Sequence, residues 1–241
     1  LPMGVLEKHG LQGPIGSDLI KVREWSAMAT KKEYAVVFPD YFYGQVNEAK
    51  QQYGTFSLPS NLTMELLEAT CQEIGRNGFK RIIIINGHGG NTQMIRYFIQ
   101  NQLEKRREYA VYFFTPNTPK PVTDKANKIR KSDPSYDQHS GENETSMLMY
   151  LRPDLVKIDR SKNESGKNQQ RLSLSEDLYT AIWWYAAYPN HYAGVGEVAS
   201  IGLGKLLSDS MVKSLVNAIK EVKNDDETLR LQNEYFDRVK N

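Results

Sequence analysis

The chain has 241 residues, 39% of them hydrophobic and 25% charged, with a formal net charge of +2. That length and composition fit one domain with a sizeable core. The near-neutral charge, with Lys and Arg interspersed among Asp and Glu as in "QLEKRREY", gives no footprint for nucleic acid or a membrane surface.

In chain order, residues 2–9, "PMGVLEKH", read as a strand that runs into a Gly/Pro-rich loop, "GLQGPIGSD". A helix is expected from 18 to 32, and "YAVVFP" at 34–39 has strand character, ended by Pro39. Residues 40–60 read as a long loop punctuated by aromatics. "SNLTMELLEATCQEIGRNG" is the clearest helix, with Thr63 as candidate N-cap, Leu66, Leu67, Thr70, Cys71 and Ile74 at helical spacing, and Gly78 as its stop. Cys71, the lone cysteine, excludes an intrachain disulfide and reads as a small buried hydrophobe. It fits a reducing, cytoplasmic setting, while the start at Leu1 rather than Met leaves an upstream segment open. A strand (80–86), a helix (91–107) and a strand (109–115) follow. A helix over 144–151, a polar surface excursion over 159–175, an amphipathic helix over 207–222 and a further helix over 226–240 complete the chain. No apolar run approaches the about 20 residues that a spanning helix needs.

This alternation predicts a single α/β domain over 1–241, with a mostly parallel central sheet between two layers of helices. In such sheets, function collects at the carboxyl ends of the strands. His9 and His88 both fall there. Alternation along a strand points Glu7 and His9 to one face, and the glycine-rich loop after His9 folds Asp18 back over them. His88 arrives in "RIIIINGHGGN", boxed by Gly87, Gly89 and Gly90, which let backbone approach a ligand closely. A third polar box, "DQHSGENETS", carries His139, Glu142 and Glu144. Imidazoles mixed with carboxylates suit Zn²⁺, Mn²⁺ or Fe²⁺ better than Ca²⁺ or Mg²⁺. Three carboxylates around two divalent ions leave about one positive charge, which a bridging hydroxide would neutralise.

"LPMGVLEKHG…GSD", "NGHGGN" and "HSGENETS" resemble the three signature boxes of the creatininase, or creatinine amidohydrolase, family, in the same order and with the same Glu-x-His-x8-Asp spacing. The resemblance implies a three-layer α/β/α hydrolase of non-peptide, cyclic or acyl, amide C–N bonds, using two divalent ions, Zn or Mn with Fe tolerated. It implies a small-molecule amide substrate and a homo-oligomer, often a hexamer. Glu7, Asp18 and His88 would hold one metal, and His9 with a bridging Asp18 the other. His139 would be the acid–base catalyst. The chain departs from the family where creatininase proper has an aromatic residue and a metal-binding Glu after the box histidine. Gly89 and Gly90 stand there instead, expected to contact substrate. Glu142 is the candidate to replace the missing ligand, with Glu144 as the fallback. Members with "GHGGN" include deformylases of formamidopyrimidine intermediates, which makes that reaction the alternative on the same site. A non-catalytic module binding phosphate or nucleotide at the glycine box is the alternative of another class. His191, in "YPNHYAG", has no partner box and reads as a surface or satisfied loop histidine. "TAIWWYAAY" at 180–188 reads as core packing or a subunit interface.

Overall fold

The structure is a computed structural model that describes residues 1–115, 118–175 and 177–239. Three parallel strands, β1 (Pro2–Met3), β2 (Arg81–Asn86) and β3 (Ala110–Phe114), form a sheet in that order. β1 meets β2 with Pro2 opposite Ile85 and Met3 opposite Asn86, and β2 meets β3 with Arg81 opposite Ala110. β2 places alternate isoleucines on opposite faces. Ile82 and Ile84 pack with Leu67, Cys71, Ile95 and Phe98, from α2 (Ser60–Arg76) and α3 (Asn91–Asn101). Ile85, with Ile83 against it, packs with Val22 and Trp25 of α1 (Ser17–Thr30) and Val212, Leu215 and Ile219 of a long C-terminal helix, Ile201–Lys223. Two apolar layers on a sheet buried on both faces account for the unbroken "IIII" run. The expected three-layer α/β/α arrangement is what forms.

The remaining helices are α4 (Lys120–Ile129), α5 (Glu142–Leu151) and the one-turn α6 (Trp183–Ala187). The C-terminal helix is α7, followed by α8 (Glu227–Arg238). α5 packs on α7, and α7 also touches α1 and α4. No described helix is long and apolar enough to cross a membrane.

Several expected boundaries move, for physical reasons. The strand expected over 2–9 pairs only through Met3. Beyond it the backbone bonds to loops: Gly4 N donates to Tyr41 O, Glu7 N to Ile15 O, and Leu6 O accepts from Phe56 N, each at 3.0 Å. The segment 34–39 is not a strand. Tyr34, Val36 and Val37 are exposed, and among the described residues the edge of β1 is met only by Tyr41, as an isolated bridge to Met3. β-Branched composition without a ladder or a face to bury does not hold a strand. Thr63 lies inside α2 and its hydroxyl donates back to Pro59 O, while Pro59 takes the N-cap position. α3 stops at Asn101, and the last part of the helix expected to 107 is a 3-10 turn, Gln102–Glu104. α7 begins at Ile201, where the Ser200 hydroxyl accepts from Leu203 N. Its two early glycines, Gly202 and Gly204, hid that first turn from a propensity reading.

Candidate metal centre

The site sits at the carboxyl ends of β1 and β2, as the topology requires. Past β1 the extended chain carries Glu7 and His9 inward, while Lys8 turns outward to Glu164 and to Asn190 O. Asp18 stands in the first turn of α1, where a carboxylate is favoured by the helix dipole. Gly87 makes the junction possible. A Cβ there would lie 2.3 Å from Asp18 O, so only glycine lets the end of β2 touch the start of α1. One residue later His88 meets Glu7 and Asp18.

Asparagines fix the histidine box. Asn86 Oδ1 accepts from His88 N at 3.1 Å, and Asn91 Nδ2 donates to the same oxygen. Asn91 Oδ1 in turn accepts from Gln45 N. Gly90 packs behind the imidazole, where a Cβ would fall 2.4 Å from both His88 Nε2 and Glu48 Oε1. Gly89 is exposed with open space around it. The carboxylate nearest Gly90 therefore comes from Glu48, in the 3-10 turn Asn47–Ala49, and lies 3.3 Å from His88 Nε2.

Glu7, His9, Asp18, His88 and His139 are all buried and converge. His88 Nδ1 lies 2.8 Å from Glu7 Oε1 and 3.2 Å from Asp18 Oδ2, and His9 Nε2 lies 3.2 Å from Asp18 Oδ1. Asp18 thus presents one oxygen to each of two imidazoles. His139 Nδ1 lies 4.0 Å from Glu7 Oε1 and 3.9 Å from Glu144 Oε2, and Glu144 Oε2 is also 3.9 Å from His9 Nε2. Among the described residues three groupings have metal-ligand spacing: Glu7, Asp18 and His88; His9, His139 and Glu144; and Glu7, His139 and His191.

Glu142 is not part of any of them. Its carboxylate is saturated by the turn after α4, accepting from Lys131 N, from Ser132 N at 2.7 Å and from the Ser132 hydroxyl at 2.6 Å. The expectation that Glu142 replaces the missing ligand is corrected by this geometry. At the start of α5, Glu142 turns toward the loop at 131–132, and Glu144 turns toward His9. Ser140 N holds Glu144 Oε2 at 2.6 Å, and Lys21 pairs with Glu144 Oε1.

His191 is the satisfied loop histidine of the two alternatives, not the surface one, and its partner is the site itself. It is fully buried, its Nε2 is 2.7 Å from Glu7 Oε2, and Trp184 Nε1 donates to its Nδ1 at 2.7 Å. Of the aromatic stretch, Trp184 reaches the site, while Ile182, Trp183 and Tyr185 stay partly exposed. Glu48, Lys21, Trp184 and His191 were missed because none lies in a polar box. Lys21 alone carried a local signal, three residues after Asp18 on α1, and its ammonium lies 3.2 Å from Asp18 Oδ1.

The electrostatics are those of a cation site filled by protons. Burial disfavours charge on every group, yet Asp18 stays well below the usual carboxylate range beside His9 and Lys21. Glu7, despite burial, is held at about 2 by His88, His139 and its bond from His191. Burial pushes His9 down, but Asp18, Glu144 and Glu7 raise it to about 9, and His88 is raised well above its ordinary value by Glu7, Asp18 and Glu48. His139 goes the other way. Burial and the neighbouring His9 lower it to about 4, leaving a neutral base among charged neighbours.

The family model "Creatininase: Creatinine amidohydrolase" matches residues 1–219. The chain belongs to the creatininase family. Among curated relatives, it is 29% identical over 170 residues to a mycofactocin precursor peptide peptidase of Mycolicibacterium smegmatis, covering 66% of this chain and 60% of that protein. It is 28% identical over 173 residues to a creatinine amidohydrolase of Pseudomonas putida, covering 66% of each. The chain thus spans less than two thirds of the length of either relative. Among solved structures, a protein provisionally named creatinine amidohydrolase from Bacteroides fragilis NCTC 9343 aligns with TM-score 0.77 at 18% identity, over 94% of this chain and 89% of that one. A mutant creatininase of "Zn-Zn type" aligns with TM-score 0.74 at 21% identity, over 91% of this chain and 88% of that one. These likenesses agree with the three-layer fold described above.

Proposed function

We propose that this member of the creatininase family is a metal-dependent hydrolase of an amide C–N bond. The observation that carries the reading is the convergence of Glu7 Oε1, Asp18 Oδ2 and His88 Nδ1, because neither carboxylate oxygen has a hydrogen-bond partner among the described residues although both are buried. Orphaned anionic oxygens facing an imidazole nitrogen are costly unless a cation joins them. Glu7, Asp18 and His88 would hold one divalent ion. His9, Asp18 and Glu144 would hold a second, with Asp18 shared. Relatives described as of Zn-Zn type and as creatininase Mn suggest zinc or manganese as the resident metals. Such a pair supplies Lewis acidity: it makes water acidic enough to be a nucleophile at neutral pH and polarises the carbonyl it attacks.

The chain's own residues do the rest. His139 donates its Nε2–H to Lys8 O at 2.8 Å, which leaves Nδ1 as a free base facing the centre. A base held neutral down to about pH 4 can take a proton from attacking water and return it to the departing nitrogen, a role worth typically about 10²–10⁴-fold. Exposed Gly89 leaves an open approach beside His88, where a substrate amide would lie.

The substrate is a small amide in the first reading, with formamide cleavage of a formamidopyrimidine as an alternative on the same residues. A peptide amide is the second reading, favoured by the similarity to mycofactocin precursor peptide peptidase. A phosphate or nucleotide module is disfavoured, since Glu7, Asp18 and Glu48 all lie against His88 in the glycine box and repel phosphate. A homo-oligomer remains the proposed assembly, with exposed Leu178, Tyr179 and Ile182 as apolar surface available to it.

The test is elemental analysis of the purified protein beside turnover assays on creatinine, formylated aminopyrimidines, small lactams and short peptides. Stoichiometric Zn or Mn with turnover of one class is expected. Protein that takes up no divalent metal would end the proposal.

A further inference from the structure

We infer that His191, held by Trp184, is a positioning residue that orients Glu7 as a metal ligand and is not itself a ligand. The inference rests on the metal reading above and concerns a part of the site that the sequence motifs do not contain.

Proton bookkeeping decides it. The indole N–H of Trp184 can only donate. It lies 2.7 Å from His191 Nδ1, so that nitrogen presents its lone pair and the neutral ring carries its proton on Nε2. His191 Nε2 is 2.7 Å from Glu7 Oε2, so it donates to that oxygen. His9 and His139 are built the opposite way. His9 Nδ1 lies 3.2 Å from Glu7 O, and His139 Nε2 lies 2.8 Å from Lys8 O. A backbone carbonyl only accepts, so each ring spends its proton there and turns a lone pair toward the carboxylates. In the neutral state His9 and His139 offer an electron pair to the centre. His191 offers a proton to a carboxylate.

The consequence falls on Glu7. Its Oε2 is committed to His191, while Oε1 is left without a partner and faces His88 Nδ1 and, at 4.0 Å, His139 Nδ1. A carboxylate pinned by one oxygen presents the other in one direction, which is how an outer partner fixes a ligand and raises its affinity for a metal. Glu7, His139 and His191 also have metal-ligand spacing. That third grouping is not a site, because both nitrogens of His191 are already used.

The arrangement is held from outside the sheet. His191 has φ 56°, a left-handed conformation uncommon for a residue with a side chain, and its N–H donates to Tyr188 O at 2.9 Å. Trp184 packs against Tyr188 with ring centroids 4.8 Å apart. The aromatic stretch at 180–188 thus has a task beyond filling space: α6 carries the group that sets the tautomer of a buried histidine.

The experiment uses the full chain. ¹⁵N NMR of the metal-free protein should show His191 as the Nε2–H tautomer and a neutral His139 also protonated on Nε2. Zn²⁺ titration calorimetry then compares wild type with His191→Leu, His191→Gln and Trp184→Phe, each checked for folding by circular dichroism. His191→Leu should weaken Zn²⁺ binding about 10–100-fold. His191→Gln should recover most of the loss, because its amide can accept from Trp184 and donate to Glu7. Trp184→Phe should weaken binding less than His191→Leu and erase the tautomer preference of His191. Wild-type Zn²⁺ affinity in His191→Leu, no recovery in His191→Gln, or an Nδ1–H tautomer in the wild type would overturn the inference. Wild-type protein that binds no Zn²⁺ would overturn the metal reading itself, and the wild-type titration separates that failure from the others. If His191→Leu does not fold, Trp184→Phe and the wild-type spectrum still decide the matter.

Discussion

Glu7 Oε1 lies 2.8 Å from His88 Nδ1, yet that buried oxygen has no hydrogen-bond partner among the described residues. Two good polar groups meet at bonding distance without the alignment of a bond. In a neutral protein interior this would be a defect costing about 1–3 kcal/mol. Around a cation it is what ligand atoms look like, since each points at a shared centre and not at its neighbour. The next oxygen in the ring, Asp18 Oδ2, is orphaned in the same way.

The two glutamates of the third box separate a ligand from a brace. Glu144→Gln should weaken metal binding by more than the about 10–100-fold typical of an outer partner, with little loss of thermal stability. Glu142→Gln should leave metal content unchanged and cost about 1.5–3 kcal/mol of stability, the worth of hydrogen bonds to a charged group. Calorimetry and denaturant unfolding on both variants check this. Metal loss in Glu142→Gln with a normal Glu144→Gln would reverse the assignment.

Metal uptake should release protons. His9 titrates at about 9 without metal and must be neutral to act as a ligand. Below that pH an incoming ion displaces its proton, so apparent affinity rises about tenfold per pH unit per proton until about pH 9. His88, also raised, adds a second proton in the same direction. For the metal-free protein the sign is opposite: the stability His9 contributes is complete below its unfolded value of 6.5 and is lost as pH rises through 9. Zn²⁺ titrations in buffers of different ionisation enthalpy give the proton count. Uptake without proton release would show that these imidazoles do not bind the ion.

Neighbouring glycines should respond very differently to alanine. At Gly87 a Cβ would lie 2.3 Å from the backbone oxygen of Asp18, which cannot move without α1. Gly87→Ala should cost at least about 1–3 kcal/mol through overpacking and should displace Asp18 enough to impair metal binding. Gly89 has open space around it, so Gly89→Ala should keep wild-type stability. Thermal melts of the pair decide it, and equal losses would contradict the geometry.

The sequence made the centre legible in proportion to how local its signals are. Glu7, His9, Asp18 and His88 sit in short boxes at strand ends, and the parallel topology alone brings such ends together. Distinguishing Glu142 from Glu144 required knowing which way each leaves the first turn of α5, and that depends on a backbone turn at 131–132. His191 and Trp184 were invisible as site residues. Their tie to Glu7 spans most of the chain and depends on a tight, positive-φ turn at His191. The same limit governs the fold. β2 and α2 were readable from the sequence, whereas "YAVVFP" had strand composition but found no ladder, and the first turn of α7, with buried Leu203, was masked by Gly202 and Gly204.

The most direct measurement is a crystal structure of Zn²⁺-loaded protein with anomalous data at the zinc edge. The account predicts a peak with Glu7 Oε1, Asp18 Oδ2 and His88 Nδ1 about 2.0–2.2 Å away, and a second beside His9, Asp18 and Glu144, with Glu142 still bound to Ser132. Loaded crystals with no anomalous density between Glu7, Asp18 and His88 would contradict it.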